Sequence, residues 1–281
     1  MKPLAYFPHP LTAVDPRDLL LLERLQPEPS QAALEIGTGN GSSLFRLGQF
    51  VHSIHGADVA PKPVERIRRF MPRFRRGREM DVFVMDFCDA NLPARVPARY
   101  DLIFSCDTLE HVPDPAAFFR NVYALLKPEG RIFITFPNES PDRAHGITFF
   151  GSRGELVSTI CAAGFEESDV TIRSVSLSVW AQKVLRAGWL WPRALYKKTL
   201  AKTLRHKPMT TAPQTFDQTG FFSTAEKLEP MAPVINAYCW AVMRMMAAVR
   251  PVYRSALADD DIWNMQILIE ATRRGALAER A

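Results

Sequence analysis

The stretch that most constrains this chain is residues 32–41, Ala-Ala-Leu-Glu-Ile-Gly-Thr-Gly-Asn-Gly. A short apolar run broken only by Glu35 is halted by three alternate glycines, Gly37, Gly39 and Gly41, and Ser42-Ser43-Leu44-Phe45 then opens a helix. An apolar run of this length stopped by glycines suits a buried strand of a parallel sheet. The glycines permit a tight turn and let backbone N–H groups approach a ligand closely. The helix N-terminus behind them favours a polar or anionic group. A dinucleotide fingerprint needs G-x-G-x-x-G, but its third glycine would fall on Ser42. The pattern is instead E-x-G-x-G-x-G over Glu35 to Gly41. Taken alone, it also suits an ordinary glycine-rich strand-to-helix turn.

Downstream, strand and helix patterns alternate, which predicts a parallel sheet with helices on both faces. Strands are expected at 32–36, 53–58, 82–85, 101–105, 131–136 and 165–175. Helices are expected to about residue 49, then at 62–76, 115–126 and 154–163, the last ended by Gly164. The alternating apolar residues of Ile262 to Ala271 are read as the last strand, with a final helix as the competitor. The fold class is therefore α/β: a Rossmann-like, seven-stranded, mostly parallel sheet with a helical insertion before the last strand. The expected organisation is a cap over 1–30, with a helix over Pro16 to Leu25 behind the N-cap Asp15, and a nucleotide-binding core over 31–176. A helical insertion then covers 177–260, the last strand 261–273 and a tail 274–281.

In such sheets ligands lie beyond the carboxyl ends of the strands. Glu35, Gly37, Thr38, Gly39 and Gly41 close the first strand, and Asp58 followed by Val59 closes the second. Asp58 stands about 20 residues past the turn, where an acid can hold both hydroxyls of a ribose. Asp86-Phe87 closes the third, where the acid can accept from an adenine amino group and the ring can pack on the base. Each acid alone is equally well a solvated loop carboxylate; three at matching strand ends are harder to ascribe to chance.

The segment Tyr100-Asp101-Leu102-Ile103-Phe104-Ser105-Cys106-Asp107-Thr108-Leu109-Glu110-His111-Val112-Pro113-Asp114-Pro115 leads into Leu125-Leu126-Lys127-Pro128-Glu129-Gly130. With the glycine turn, this resembles the small-molecule branch of class I S-adenosylmethionine (SAM) methyltransferases, the type that includes ubiquinone-pathway O-methyltransferases. The resemblance covers about 31–175. The family has Pro-Gly-Gly where this chain has Pro128-Glu129-Gly130. It implies SAM as cofactor, S-adenosylhomocysteine as product, and Glu35, Gly37, Gly39, Asp58, Asp86 and Cys106 around the cofactor. It also implies methyl transfer to a small or lipid-like acceptor, with oxygen as the expected nucleophile. Such a reaction needs alignment of the nucleophile with the S–CH3 bond, and a general base when the nucleophile is a hydroxyl. Two histidines are candidates. His111 follows the fourth strand, and His145 lies where related enzymes place a substrate-facing histidine. Some relatives bind a divalent cation through an acidic-x-x-Glu-His set; Asp107, Glu110 and His111 stand in those places. On a helix that spacing would put the three on one face. No metal is the primary expectation.

Residues 170–216 contain no Asp or Glu but nine Lys or Arg, interleaved with Trp180, Trp189, Trp191 and leucines. A basic amphipathic stretch with tryptophans suits a membrane interface through 183–207, and equally a lid over the substrate pocket. The net charge of +5 leaves nucleic acid as a weaker partner, since no RNA-module motif is present. Cys88, Cys106, Cys161 and Cys239 are scattered, which suits a reducing compartment. The proline-broken first ten residues and the lack of any 18-residue apolar run lead us to expect a cytoplasmic protein, with peripheral contact at the inner membrane face as an option. Two other classes compete with the enzyme: a SAM-binding scaffold that has lost catalysis, and a nicotinamide dehydrogenase, which Ser42 disfavours.

Overall fold

The computed structural model describes residues 24–39, 41–73, 78–96, 98–138, 148–176, 252–254 and 266–275, with single positions at 183, 187, 234, 237 and 241. The chain divides into two compact units, Met1–Leu20 with Leu177–Val252, and Leu21–Ser176 with Tyr253–Ala281. Nearly all of the described residues belong to the second unit. The helix expected at Pro16 to Leu25 falls outside the described residues but for its last two, and the 183–207 stretch lies outside them except at Lys183 and Ala187.

Strands β1 (Ala32–Ile36), β2 (Ser53–Asp58), β3 (Glu79–Val84), β4 (Tyr100–Cys106), β5 (Leu126–Pro137), β6 (Val170–Ser176), β7 (Val252–Arg254) and β8 (Gln266–Thr272) form one sheet. Its order is β3-β2-β1-β4-β5-β8-β6-β7. The first five pair in parallel, and β8 runs antiparallel between β5 and β6. The last apolar segment is thus a strand, as its alternation indicated, and a three-residue strand adds an eighth member at the edge.

The helices described over their whole length are α1 (Ser42–Leu47), α2 (Pro61–Phe70), α3 (Leu92–Arg95), α4 (Pro115–Leu125) and α5 (Arg153–Cys161). On one side of the sheet Ile132, Ile134, Ile267 and Ile269 pack with Phe118 and Val122 of α4 and Leu156 and Ile160 of α5. Buried Leu44, Phe45, Val64 and Ile67 from α1 and α2 lie outside that cluster, with Ile54 and Val82. Asp114 caps α4 by accepting from the Ala117 N–H at 2.9 Å, and Pro115 occupies its first turn, where no N–H is needed. Ser152 caps α5 through the Glu155 N–H at 3.1 Å, while Glu155 reaches back to the Gly151 N–H at 2.7 Å, a reciprocal pair close to a capping box. At the amino ends of the strands, Asp101 accepts from the Ala32 N–H and from Lys127 Nζ, each at 2.8 Å, which locks the starts of three neighbouring strands together.

Three boundaries differ most from expectation. Helix α2 gives way at Met71–Arg73 to a single 3-10 turn, where Pro72 removes an N–H. Strand β5 starts at Leu126, with a register irregularity, because Glu129 N–H donates to Arg273 O at 2.7 Å and Arg273 N–H to Gly130 O at 2.9 Å. Glu129 sits there at φ 62, in the left-handed region that glycine occupies at least cost. Strand β6 starts at Val170, not Phe165, because Phe165 turns in against Tyr123 at 5.0 Å between ring centroids and Glu167–Asp169 forms a 3-10 turn.

Candidate active site

The chain runs from β1 outward to β3, then returns to β4 on the other side of β1. The crevice between β1 and β4 at the strands' carboxyl ends is therefore the switch point where such sheets hold ligands. The turn after β1 lies there. Gly37, Gly39 and Gly41 have φ of 76, 49 and 76 degrees, all left-handed. Gly37 N–H donates to Ala57 O at 2.8 Å and Gly41 N–H to Thr38 O at 2.7 Å. Asp58 closes the arrangement: its Oδ2 accepts from the Gly39 N–H at 3.0 Å and its Oδ1 from the Ala60 N–H at 2.9 Å. The carboxylate thus faces the glycine turn, and each oxygen keeps a lone pair for a ligand.

The first two glycines are glycines for different reasons. A Cβ at Gly37 would stand 2.7 Å from Thr108 Cγ2 and 2.9 Å from its Cβ, so this residue lets β4's continuation press on the turn. A Cβ at Gly39 would meet nothing within 4 Å. That open face over a bare backbone is what a cradle for a closely approaching ligand requires. Thr108 is held in place by Oγ1 donating towards Cys106 O at 3.3 Å, and Ser105 Oγ donates to Ile36 O at 2.9 Å.

Glu35 is only 4% exposed. Burial, and secondarily the Asp58 carboxylate, push its pKa well above the usual carboxylate range, and a hydrogen bond with the Leu44 backbone opposes them. Among the described residues its Oε2 is buried without a hydrogen-bond partner, and so is Thr38 Oγ1. Two carboxylates, two orphaned acceptors and an open glycine face make a site suited to a ligand that carries positive charge and hydroxyl groups.

The remaining expected residues are distributed unevenly. Val59 is 69% exposed just past Asp58. Asp86 is exposed, with Oδ1 accepting from the Cys88 N–H at 2.8 Å. Phe87 does not offer its ring face: it is buried in the core, 6.0 Å from Phe118 between centroids, and its carbonyl accepts from Asn121 Nδ2 at 2.7 Å. The ring is thus taken up by the core and is not presented for stacking on a base, contrary to the expectation from its place after Asp86. Cys106 is half-buried at the end of β4.

The supposed helical face of Asp107, Glu110 and His111 does not form. Leu109–His111 is one 3-10 turn, and Asp107 precedes it at φ 49. His111 is exposed, with Nε2 at 3.8 Å from the buried Glu110. Among the described residues no three His, Cys, Asp or Glu are grouped to hold a metal ion. His145 lies outside the described residues. The two ends of its segment are anchored, however. Fully buried Asn138 donates to Phe150 O at 3.0 Å and accepts from the Phe150 N–H at 3.1 Å, while Thr148 donates to the Glu110 and Val112 carbonyls. Thr108, Asn121 and Asn138 carry no site signal in the sequence, because Thr108 meets Gly37 only where β4 lies beside β1, Asn121 reaches the Phe87 and Asp89 carbonyls from α4, and Asn138 closes on Phe150 across a loop.

A methyltransferase-domain family model matches residues 13–169. The chain belongs to this family. It is a SAM-dependent methyltransferase of the small-molecule type. Among curated proteins, the chain is 30% identical over 174 residues to a ubiquinone biosynthesis O-methyltransferase of Xanthomonas euvesicatoria, covering 61% of this chain and 69% of that one. To the protein of the same name from Xylella fastidiosa it is 29% identical over 227 residues, covering 80% of this chain and 84% of that one. Phosphoethanolamine N-methyltransferase 2 of Haemonchus contortus, solved with phosphomonomethylethanolamine and S-adenosylhomocysteine, superposes with TM-score 0.55 at 16% identity, over 92% of this chain and 52% of that one. This chain therefore spans about half the length of that protein. A cyclopropane synthase of Mycobacterium tuberculosis superposes with TM-score 0.53 at 16% identity, over 91% and 82%. At these identities the two structures establish the shared fold.

Proposed function

We propose that this methyltransferase moves a methyl group to a hydroxyl of a small or lipid-like acceptor. The observation that carries the cofactor placement is the Asp58 carboxylate bonded to the Gly39 N–H beneath an open glycine face. In this proposal Glu35, Gly37, Thr38, Gly39 and Gly41 line the amino-acid side of SAM, and Asp58 holds the ribose with Val59 beside it. Asp86, the Phe87 backbone and Cys106 border the adenine. SAM supplies a sulfonium-bound, electrophilic methyl group. The acceptor hydroxyl would have to lie in line with that methyl group and would give up its proton to a base of this chain. His145 takes that role, with His111 as the alternative. Aligning the two reactants is worth roughly 7–11 kcal/mol and a base adds about 10²–10⁴-fold, so positioning dominates.

The oxygen acceptor rests on the two relatives named as O-methyltransferases. The basic, tryptophan-bearing stretch 183–207 supports contact with an anionic membrane surface that would deliver a lipid-like acceptor. No helix among the described residues is long and apolar enough to cross a membrane. The test is calorimetric titration with SAM, followed by mass spectrometry of methylated product with phenolic acceptors that carry short or isoprenoid tails. O-methylated product and S-adenosylhomocysteine in equal amounts are expected. Tight SAM binding with no turnover on any acceptor would favour the scaffold. Failure to co-float with acidic liposomes at low salt would remove the membrane contact.

A further inference from the structure

At the other end of the sheet a second cleft opens, of about 210 Å³, lined from β5, β8, β6 and the segment before β1. Its residues lie towards the amino ends of the parallel strands. Arg131 pairs with Leu102, whereas the methyl-donor crevice is level with Ser105 and Cys106, paired with Ile134 and Thr135. Glu270 of β8 stands in register with Phe133 of β5 and Thr171 of β6, and alternation puts Arg131 and Arg173 on that same face. Arg24 reaches in from before β1.

Three arginines and two carboxylates line the cleft, but both carboxylates are already engaged. Glu270 accepts from Arg24 through both oxygens, from Nε at 3.0 Å and from Nη2. Asp169 accepts from Arg274 Nη2 at 2.8 Å, and Arg274 lies outside the lining. Among the described residues, Arg131 makes one hydrogen bond, from Nη2 to Leu25 O at 2.7 Å. Arg173 has one ionic contact there, 4.0 Å from Glu270. Each guanidinium carries five N–H donors in a planar fork, so most of the donors of these two side chains have no partner among the described residues. Both line the cleft together with Thr171, whose hydroxyl is a further donor. The volume equals roughly seven waters at about 30 Å³ each, room for a tetrahedral anion and part of its ester.

We propose that this cleft binds a phosphate group, gripped by the forks of Arg131 and Arg173 with Thr171, remote from the methyl-donor site. Forked donors around one pocket match phosphate oxygens bidentately, which a single surface lysine does not. Phosphate chemistry arrives either as a free ion or monoester, or as a lipid headgroup. The experiment titrates the full chain with inorganic phosphate and with phenyl phosphate by calorimetry. In parallel, sedimentation is measured with phosphatidylglycerol and with phosphatidylcholine vesicles.

Saturable one-site binding of the free phosphates is expected, weakened at least about tenfold by Arg173→Gln and by Arg131→Lys, which keeps charge but loses the fork. Glu270→Gln removes a negative charge from the cleft lining and should tighten binding, a change that a purely structural cluster would not produce. Because Arg173 carries little of the fold's bonding, Arg173→Gln should melt with the parent and bind SAM unchanged. Sedimentation with phosphatidylglycerol alone, abolished by Arg173→Gln, would assign the headgroup as the source. The proposal is overturned if neither phosphates nor vesicles bind, or if binding is indifferent to Arg173→Gln. Both results are independent of methyl transfer.

Discussion

Replacing Gly37 or Gly39 by alanine separates the two jobs of the turn. Both sit at positive φ, 76 and 49 degrees, so each alanine costs about 1 kcal/mol in backbone strain. At Gly37 the new Cβ lies 2.7 Å from Thr108 Cγ2, so Thr108 must move and lose its hydrogen bonds to Cys106 O and Ile36 O, another ~1–2 kcal/mol. At Gly39 the Cβ meets no atom within 4 Å and adds nothing further in the free protein. For a unit of this size 1 kcal/mol moves Tm by about 2–4 °C. Gly37→Ala should therefore lower Tm by about 4–12 °C and Gly39→Ala by about 2–4 °C. Cofactor affinity should reverse that order. On the proposed placement the Gly39 methyl would enter the space of the donor and should weaken SAM binding at least about tenfold for its small cost in stability. Adding Thr108→Ala to Gly37→Ala should restore part of the lost stability, with a coupling of at least about 0.5 kcal/mol in a double-mutant cycle. Scanning fluorimetry and calorimetry read both quantities. If Gly39→Ala binds SAM as tightly as the parent, or Gly37→Ala melts with it, the two glycines do not divide the labour in this way.

Two further outcomes arise from buried groups. Glu35 has its pKa raised by burial and by Asp58, so below that pKa it is neutral and above it is an anion facing a cationic ligand. SAM affinity, measured calorimetrically across pH, should strengthen as pH rises through that value, and Glu35→Gln should flatten the profile. The sign for stability is opposite. A carboxyl whose folded pKa is raised stabilises the fold fully only below its unfolded pKa, and that contribution is lost as pH rises through the folded pKa. Ligand-free Glu35→Gln should therefore melt above the parent at the alkaline end and converge with it in acid. Asn138→Ala removes both hydrogen bonds to Phe150 and strands a buried N–H and C=O, which should cost about 2–4 kcal/mol in urea unfolding. An Asn138→Ala variant as stable as the parent would mean that this anchor does not hold the segment carrying His145.

The strands that position the crevice were legible because their information is local. The run before Gly37 is an apolar segment stopped by glycine and the span Ser53–Asp58 a short one ended by an acid, and the structure places both within a residue of expectation. What escaped depends on partners distant in sequence. The extension of β5 back to Leu126 is dictated by pairing of Glu129 and Gly130 with Arg273, more than 140 residues away. Phe87 follows an acid at a strand end and so resembles a base-stacking residue, but the helix that covers it, α4, brings Phe118 against it and turns the ring inward. Thr108 carries no signal in its own neighbourhood; its importance arises because β4 lies beside β1 and Gly37 leaves room for it. The Asp107–His111 spacing suggested a shared helical face, and the chain turns instead through a 3-10 segment before Asp114 caps and Pro115 starts the next helix.

The central claim is that SAM lies over the Gly37–Gly41 turn with its ribose held by Asp58. The most direct test is calorimetric titration of SAM into the parent protein and into Asp58→Ala. One saturable site is predicted, displaced by S-adenosylhomocysteine and weakened at least about tenfold by the substitution, as loss of a charged hydrogen-bond acceptor requires. Equal affinity in both proteins would contradict it.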